Sequence, residues 1–195
     1  QPVIAEMVAN VLAAELPRAN GARLGNIHTH QRLNELEFYF PLNRVSPEIL
    51  EDVYRRYYPV SSTTVFADDM GKLRFLPARG YMHGFMDLVF FHQDRYYLLD
   101  WKSNYLGVGL DAYTTDALGA EMRAEYYLFQ SHIYTVALDR YLQTRRPEYD
   151  YADHFGGTYY IFLRGVDASA GPDYGIYYEK PAAEFVRALS AQLMP

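Results

Sequence analysis

The alternation of hydrophobic and polar positions along the chain predicts interspersed helices and strands. Residues 1–16 have an amphipathic helical pattern that ends at Pro17, and residues 35–42 alternate as a strand does. Ser46 followed by Pro47 is typical of a helix start, because serine caps helices and proline is tolerated in the first turn. The pattern predicts a helix over 1–16, a strand over 35–42, a helix over 46–58 ahead of Pro59 and an irregular segment over 61–77. It then predicts a β-hairpin over 84–102, a connection over 107–113, a long helix from Thr114 or Thr115 to about Arg145, strands over 158–164 and 175–179, and a helix from Pro181.

The predicted hairpin contains two acids in an unusual position. Two runs rich in Phe, Tyr, Val and Leu flank a short polar segment. If Gln93 and Asp94 form the loop, residues whose numbers sum to 187 face each other, and Asp87 lies opposite Asp100. Two like charges at about 5 Å repel by roughly 3 kcal/mol at an effective dielectric constant of about 20. This register therefore indicates that a divalent cation compensates the two carboxylates.

Lys102 adds a cationic group to the two acids. Because side chains alternate along a strand, Asp100 and Lys102 share one face. Two carboxylates can hold Mg²⁺, which polarises a phosphoryl oxygen and lowers the pKa of a bound water. An ammonium can orient or deprotonate that water and stabilise charge on the phosphate. The spacing indicates metal-dependent phosphodiester hydrolysis, although by itself it fits solvent-facing acids on a hairpin about equally well.

The segments around these residues resemble a known family. They are residues 84–90 and 95–107, preceded by 35–41 and followed by 133–142, 149–151, 154–157 and 160–167. In content and order they resemble the C-terminal nuclease domains of RecB, the beta subunit of bacterial exodeoxyribonuclease V. The resemblance covers about residues 35–167 and is weaker at either end.

This resemblance implies an α/β PD-(D/E)XK nuclease fold, similar to restriction endonucleases, with a mixed central β-sheet flanked by helices. It implies that Asp87 and Asp100 bind the metal and that Lys102 is the catalytic lysine. Trp101 stands where the family uses a main-chain carbonyl as a further metal ligand, so its side chain is not expected to matter. The implied cofactor is Mg²⁺, with Mn²⁺ as a substitute, and ATP is expected only for a helicase portion outside this chain.

Gln130 and Tyr134 match the family's Q-x-x-x-Y signature. Their spacing of four places both on one helical face. In the family this face approaches the DNA near the catalytic metal, so the resemblance implies that both residues bind DNA. Without the family, they are more simply residues at the edge of the core whose polar ends have partners.

The family also supplies a histidine ligand from a helix well before the segment at 35–41. The first predicted helix contains no histidine, so we expect that ligand to lie upstream of Gln1. His28 and His30 are predicted to lie in a loop, and His83 is the nearest local substitute. The other histidines, which are His92, His132 and His154, are predicted to be structural. Glu37 is a candidate for a further catalytic carboxylate, because it lies in a strand-like run of a family segment. Glu35 shares its strand face, so both are equally explained as solvent-facing acids, and neither belongs to the predicted site.

Composition bounds the class of protein and its partners. A chain of 195 residues, 50% of them hydrophobic, suits one domain, and the resemblance implies that this domain is the C-terminal part of a larger helicase–nuclease subunit. The absence of cysteine excludes a disulfide scaffold or a thiolate metal site. No membrane-spanning run or signal peptide is evident, so a bacterial cytoplasmic protein is expected. The net charge of −6 suits DNA capture poorly, so a motor and partner subunits are expected to deliver a single strand. The resemblance implies that these partners are RecC and RecD, with RecA as a further candidate.

Three functions from different classes remain open at this point. The first is a metal-dependent exodeoxyribonuclease domain that processes double-strand DNA ends for recombinational repair. The alternative is a catalytically weak nuclease-like module that serves assembly or binds DNA or a partner, although the presence of both acids and the lysine counts against it. The third is an aromatic-rich domain that binds a sugar or another small ligand, suggested by the 20 Tyr and 11 Phe residues alone.

Overall fold

The computed structural model describes residues 2–58, 63–74 and 78–195. Its helices and strands, in chain order, are α1 (Pro2–Ala13), β1 (Arg32–Val45), α2 (Pro47–Tyr57), α3 (Thr63–Lys72), β2 (Ala78–His92), β3 (Arg95–Lys102), α4 (Thr115–Ala124), α5 (Tyr127–Arg145), α6 (Tyr151–His154), β4 (Phe155–Phe162), β5 (Ile176–Glu179) and α7 (Ala183–Leu193). The strands form one five-stranded sheet in the order β1-β2-β3-β4-β5. In it, β2 and β3 pair antiparallel, β3 and β4 parallel, and β4 and β5 antiparallel. The predicted α/β class with a mixed central sheet is confirmed.

The chain divides into two compact units. The first consists of residues 1–36, 86–131 and 153–180, and the second of residues 37–85, 132–152 and 181–195. Strands β1 and β2 and helix α5 each continue from one unit into the other. Asp87, Asp100 and Lys102 all belong to the first unit.

The β2–β3 hairpin has the predicted register. Leu88 pairs with Leu99, and the ladder continues without a shift to His92 opposite Arg95. The loop residues Gln93 and Asp94 both have positive φ, at 47° and 59°. Two-residue hairpin loops favour such left-handed turns, because their twist matches that of the flanking strands. Asp87 and Asp100 are the next residues beyond the last pair of this ladder.

The core of the first unit covers both faces of the sheet. On one face, alternate residues of β2, β3 and β4 pack with Val11 and Ala14 of α1. On the other face, Tyr160 and Phe162 pack with residues of α4. All eight residues of β4 are buried, which confirms the prediction of a strand in the sheet interior. Strand β3 is therefore held between two neighbours, and its end is a rigid support for the side chains it carries.

The close approach of β3 and β4 depends on a glycine. The aromatic ring of Tyr97 lies directly on the backbone of Gly156, where a Cβ atom would come within 2.2 Å of the ring. The β3–β4 register shifts between Tyr96 and Tyr97, next to this glycine. Any larger residue at position 156 would displace the Tyr97 ring from its place over the strand.

An aromatic cluster organises the second unit. His132 of α5 is 1% exposed, and its Nδ1 lies 2.7 Å from the Tyr54 hydroxyl of α2. Tyr58 and Phe185 each pack edge-on against both of these rings and are tilted against each other. At the start of α2 the Ser46 hydroxyl accepts a hydrogen bond from the Ile49 amide, as the sequence predicted. His132 is a core residue, in agreement with its predicted structural role.

Two predicted elements are wrong. The irregular segment predicted over 61–77 contains helix α3, while residues 61, 62 and 75–77 lie outside the described part of the chain. Helix α3 buries Phe66, Ala67 and Met70 and packs against α2, so tertiary contacts stabilise a segment whose local signals are weak. The long helix predicted to begin at Thr114 or Thr115 is two helices, because α4 ends at Ala124 and Tyr126 has a φ of 56°. Its start is as predicted, since the Thr114 hydroxyl accepts from the Ala117 amide.

Candidate active site

The end of strand β3 carries a buried ion pair. The carboxylate of Asp100 is in a residue only 5% exposed, and its Oδ2 lies 2.6 Å from the Lys102 Nζ. The two side chains share a face because they are two residues apart on one strand, as the sequence predicted. Burial removes the water that screens surface pairs, so this ion pair is a strong local electrostatic feature.

Several groups besides Asp100 hold the Lys102 ammonium in place. Its Nζ donates to the Gln130 Oε1 at 3.1 Å, and the Tyr160 hydroxyl donates to the same oxygen at 3.2 Å. The Nζ lies 3.8 Å from the centroid of the Tyr127 ring and 4.9 Å from that of Tyr160, within cation–π range. These contacts restrict the ammonium to one position.

The two tyrosines were missed by the sequence analysis. Tyr160 lies in an apolar strand, where an aromatic residue is expected as packing. Tyr127 lies just after the break between α4 and α5, in a stretch that the periodicity assigned to one continuous helix. Neither position carries a local signal for a role beside the lysine.

Asp87 lies beside this pair on the neighbouring strand. It is half-buried, and its Oδ2 accepts a hydrogen bond from the Trp101 amide at 2.9 Å. Burial raises the pKa of Asp100 above its usual range, the hydrogen bond and charge of Lys102 lower it, and the charge of Asp87 raises it. The net shift is upward, because the effect of burial is the largest of these.

A divalent cation fits this donor set. The two carboxylates are hard oxygen ligands, and they lie next to each other across the end of the hairpin. No group of three or more His, Cys, Asp or Glu side chains suited to a metal occurs among the described residues. Mg²⁺ binds proteins through one or two carboxylates and keeps several waters, so two acids are enough for it. The candidate ligands are Asp87, Asp100 and the main-chain carbonyl of Trp101.

A cavity of about 540 Å³ opens in the first unit beside Asp87. We call it the Asp87 cavity; Asp87, Trp101, Arg32 and Glu35 are among the residues that line it. Glu35 has a φ of 51° within strand β1, a conformation that costs energy for a residue other than glycine and that is concentrated at functional sites. Glu35 was not part of the predicted site. Its positive φ and its place in the wall of the cavity cannot be predicted from the alternating pattern of a strand.

The remaining residues with a predicted or candidate role are divided between the two units. Tyr134 lies one turn after Gln130 on α5, but in the second unit, where its ring packs edge-on against Phe38 at 5.5 Å. The Nε2 of His83 lies 2.8 Å from the Glu37 Oε1, also in the second unit. His28 and His30 are exposed, as predicted, and their rings stack at 5.5 Å; His28 precedes a short 3₁₀ helix over Thr29–Gln31 and His30 lies within it. The DNA-binding roles of Gln130 and Tyr134 stay predictions.

The other two histidines lie at the ends of elements. His92 is the last residue of β2, and its Nε2 is buried without a hydrogen-bond partner in the described part of the chain. His154 ends the short helix α6. Both positions agree with the structural roles that the sequence predicted.

Together, these observations define an α/β protein whose mixed sheet carries two acids and a lysine at the end of a β-hairpin. The chain is homologous to RecB over about nine tenths of its length, in agreement with the resemblance inferred from its motifs. It is 41% identical to the RecBCD enzyme subunit RecB of Escherichia coli K12 over 187 residues, 95% of this chain and 15% of that protein. It is 36% identical to the same subunit of Haemophilus influenzae over 87% of this chain and 13% of that protein. For Mycolicibacterium smegmatis RecB the identity is 32% over 91% of this chain and 18% of that protein.

The chain thus spans 15% of the length of the E. coli relative, so it corresponds to a small part of these subunits. No family model matches the chain. Among the described residues, no helix is both long enough and apolar enough to cross a membrane.

Proposed function

We propose that this chain is a Mg²⁺-dependent DNA nuclease domain of the PD-(D/E)XK class. In this proposal, residues 1–195 form a single nuclease domain in the C-terminal part of an exodeoxyribonuclease V beta subunit. The observation that carries the proposal is the buried ion pair of Asp100 and Lys102, with Asp87 beside it, inside a segment homologous to RecB. Neither the core nor the surface of a sheet has a structural need for this group.

The residues of the chain would divide the work as follows. Asp87, Asp100 and the Trp101 carbonyl would hold the cation, which when bound supplies Lewis-acid polarisation of the phosphate and an acidified water. The Lys102 ammonium, fixed by its neighbours, would stabilise negative charge that develops on the phosphate and orient the attacking water. Gln130 would position Lys102 through its Oε1, and Gln130 and Tyr134 would position the DNA strand.

The proposal includes partners outside the chain. RecB is named as a subunit of the RecBCD enzyme, so this domain would work with RecC and RecD, and RecA is a further candidate partner. The substrate would be a single strand fed from an unwound duplex end during recombinational repair, with ATP used by the helicase portion. The net charge of −6 supports delivery by other parts of the complex, because an acidic surface attracts a polyanion poorly.

The test is cleavage of single-stranded DNA by the complete subunit with Asp100→Asn. This change keeps the size of the side chain and removes its charge. Loss of Mg²⁺-dependent cleavage with retained ATP-driven unwinding is the expected result. The alternative function, a nuclease-like module for assembly or for binding DNA or a partner, predicts instead that cleavage by the complex does not depend on Asp100.

A further inference from the structure

Arg32, the first residue of strand β1, has a buried donor with no acceptor in the described part of the chain. Its Nε atom is buried, and it has no hydrogen-bond partner among the described residues. No carboxylate of the described chain forms an ion pair with Arg32. An arginine side chain is always charged and has five donors, and Arg32 is half-buried at the wall of a cavity, so a ligand in that cavity can supply acceptors that the described chain does not. Arg32 is therefore a candidate for binding an anion.

Arg32 lies in the cavity that Asp87 also lines. The cavity, at about 540 Å³, falls within the size range of small-molecule sites, and Asn34 and Glu35 line it as well. Asp100 and Lys102 are not among its lining residues. Since Asp87 belongs both to the acid pair and to the cavity, a group bound in the cavity would lie next to the candidate catalytic group rather than within it.

We propose that Arg32 binds the phosphate adjacent to the scissile phosphate on the DNA strand, inside the Asp87 cavity. This inference rests on the proposed nuclease function. A guanidinium matches a phosphate through two parallel hydrogen bonds, and such charge-assisted bonds are stronger than neutral ones. Asp87 and Glu35 bring negative charge to the same cavity, and Arg32 is the one cationic residue among those that line it in the described chain. Arg32 would thus offset repulsion between these acids and the incoming strand.

The test uses the complete subunit in its complex and the position of cleavage along the strand. The substrates are end-labelled single-stranded oligonucleotides with one methylphosphonate linkage, which removes the charge of a single phosphate and keeps the backbone. In the unsubstituted enzyme, cleavage at the bond adjacent to the neutral linkage should fall about tenfold relative to distant bonds, the usual value of a charge-assisted hydrogen bond. In Arg32→Met, cleavage beside the neutral linkage should equal cleavage at distant bonds, because this variant has no guanidinium to contact the phosphate.

Two further variants separate binding from folding. Arg32→Lys keeps the charge without the fork geometry, so the fall in cleavage beside the neutral linkage should be smaller than in the unsubstituted enzyme. It replaces Arg32→Met in the test if that variant does not fold. Arg23→Met is the matched control, because Arg23 lies in the same unit, does not line the cavity and already pairs with Glu15 at 3.8 Å. Its cleavage pattern should equal that of the unsubstituted enzyme.

The possible results discriminate between the two proposals. An equal effect of the neutral linkage in Arg32→Met, Arg32→Lys and the unsubstituted enzyme, or no effect in any of them, overturns the role of Arg32. The proposed nuclease site fails separately if Asp100→Asn cleaves the same oligonucleotides at the unsubstituted rate. If Asp100→Asn is inactive and the pattern of Arg32→Met is unchanged, only the inference about Arg32 is lost.

Discussion

Asp100 in the first unit and Asp139 in the second are both buried aspartates, but they differ in what surrounds them. They are 5% and 3% exposed, and burial raises the pKa of both. Asp139 accepts a hydrogen bond from Gln143 at 2.8 Å, and hydrogen bonds from Tyr149 and Gln143 together with arginine charges oppose the rise in its pKa. Asp100 instead has a lysine in direct contact and a second carboxylate beside it. A buried acid with a raised pKa is therefore not by itself a sign of catalysis, whereas a second acid together with a fixed ammonium is.

The largest expected effect is on DNA cleavage, which should depend on Asp100 and not on Asp139. In the complete subunit, Asp87→Ala, Asp100→Asn and Lys102→Ala should each reduce DNA cleavage by at least about 10²- to 10³-fold, because each removes a charge that acts on the reacting phosphate. ATP-driven unwinding should persist. Asp139→Asn, the matched control, should leave cleavage unchanged. A loss of cleavage in Asp139→Asn as large as in Asp100→Asn would show that burial of an acid, rather than its neighbours, sets the requirement.

The next effect concerns the two glutamines that lie beside the aspartates, which are Gln130 near Asp100 and Gln143 beside Asp139. Gln130→Ala should reduce the cleavage rate by about 10- to 100-fold, as is usual for groups that orient those in direct contact with the substrate. Metal affinity should change little, because Gln130 contacts Lys102 rather than the two acids. Gln143→Ala, the corresponding change beside Asp139, should leave cleavage unaltered. Calorimetric metal titration and single-turnover cleavage on the same variants give both quantities, and equal losses of metal affinity and rate would contradict this role.

Metal binding should depend on pH through Asp100. Its carboxyl must be ionised to hold a cation, and its pKa lies above the ordinary value of 3.8. Mn²⁺ affinity of the 195-residue chain should therefore fall, by about tenfold per pH unit, at a higher pH than an exposed aspartate would give. Asp139→Asn should leave this profile unchanged. A profile that begins to fall only near pH 4 would mean that Asp100 is not a ligand or that its burial has no effect.

The smallest effect is on stability and should be the same for both aspartates. Because each folded-state pKa is raised, the folded chain binds more protons than the unfolded chain between 3.8 and the raised pKa. This contribution to the free energy of unfolding is present at low pH and is lost as pH rises through that window. At neutral pH and without metal, Asp100→Asn and Asp139→Asn should each raise the free energy of unfolding by about 1 kcal/mol. Chemical denaturation at pH 7 measures this, and a destabilised Asp100→Asn would mean that its ion pair with Lys102 outweighs the cost of burial.

The hairpin shows how far local rules reach. The turn at Gln93 and Asp94 and the two-residue period of a strand together predict the register, and the observed pairs follow it along the whole ladder. The helix starts at Ser46 and Thr114 are also local, because a hydroxyl accepts an amide hydrogen bond three residues later. The position of Asp100 and Lys102 on one face needs nothing beyond this alternation.

The surroundings of Lys102 show where local rules stop. Tyr127 of α5 and Tyr160 of β4 contact the ammonium. Helix α5 begins at Tyr127, and no glycine or proline in the sequence marks the break before it. Arg32 and Glu35 line the Asp87 cavity from β1, far from Asp87 along the chain. Such placements depend on which elements pack together, and that information is spread over the whole chain.

By itself, the sequence determined the hairpin, the register of its strands, the shared face of Asp100 and Lys102 and the homology to RecB, because period, turn and cap preferences act over a few residues and homologous segments keep their order. Only the tertiary structure decided that Asp100 is buried and that Gln130 fixes Lys102. It also decided that α3 is helical, that the helix after Thr114 breaks at Tyr126 and that the Arg32 Nε is buried without a partner among the described residues. These outcomes arise from contacts between residues distant in the chain, whose desolvation and packing energies have no local signature.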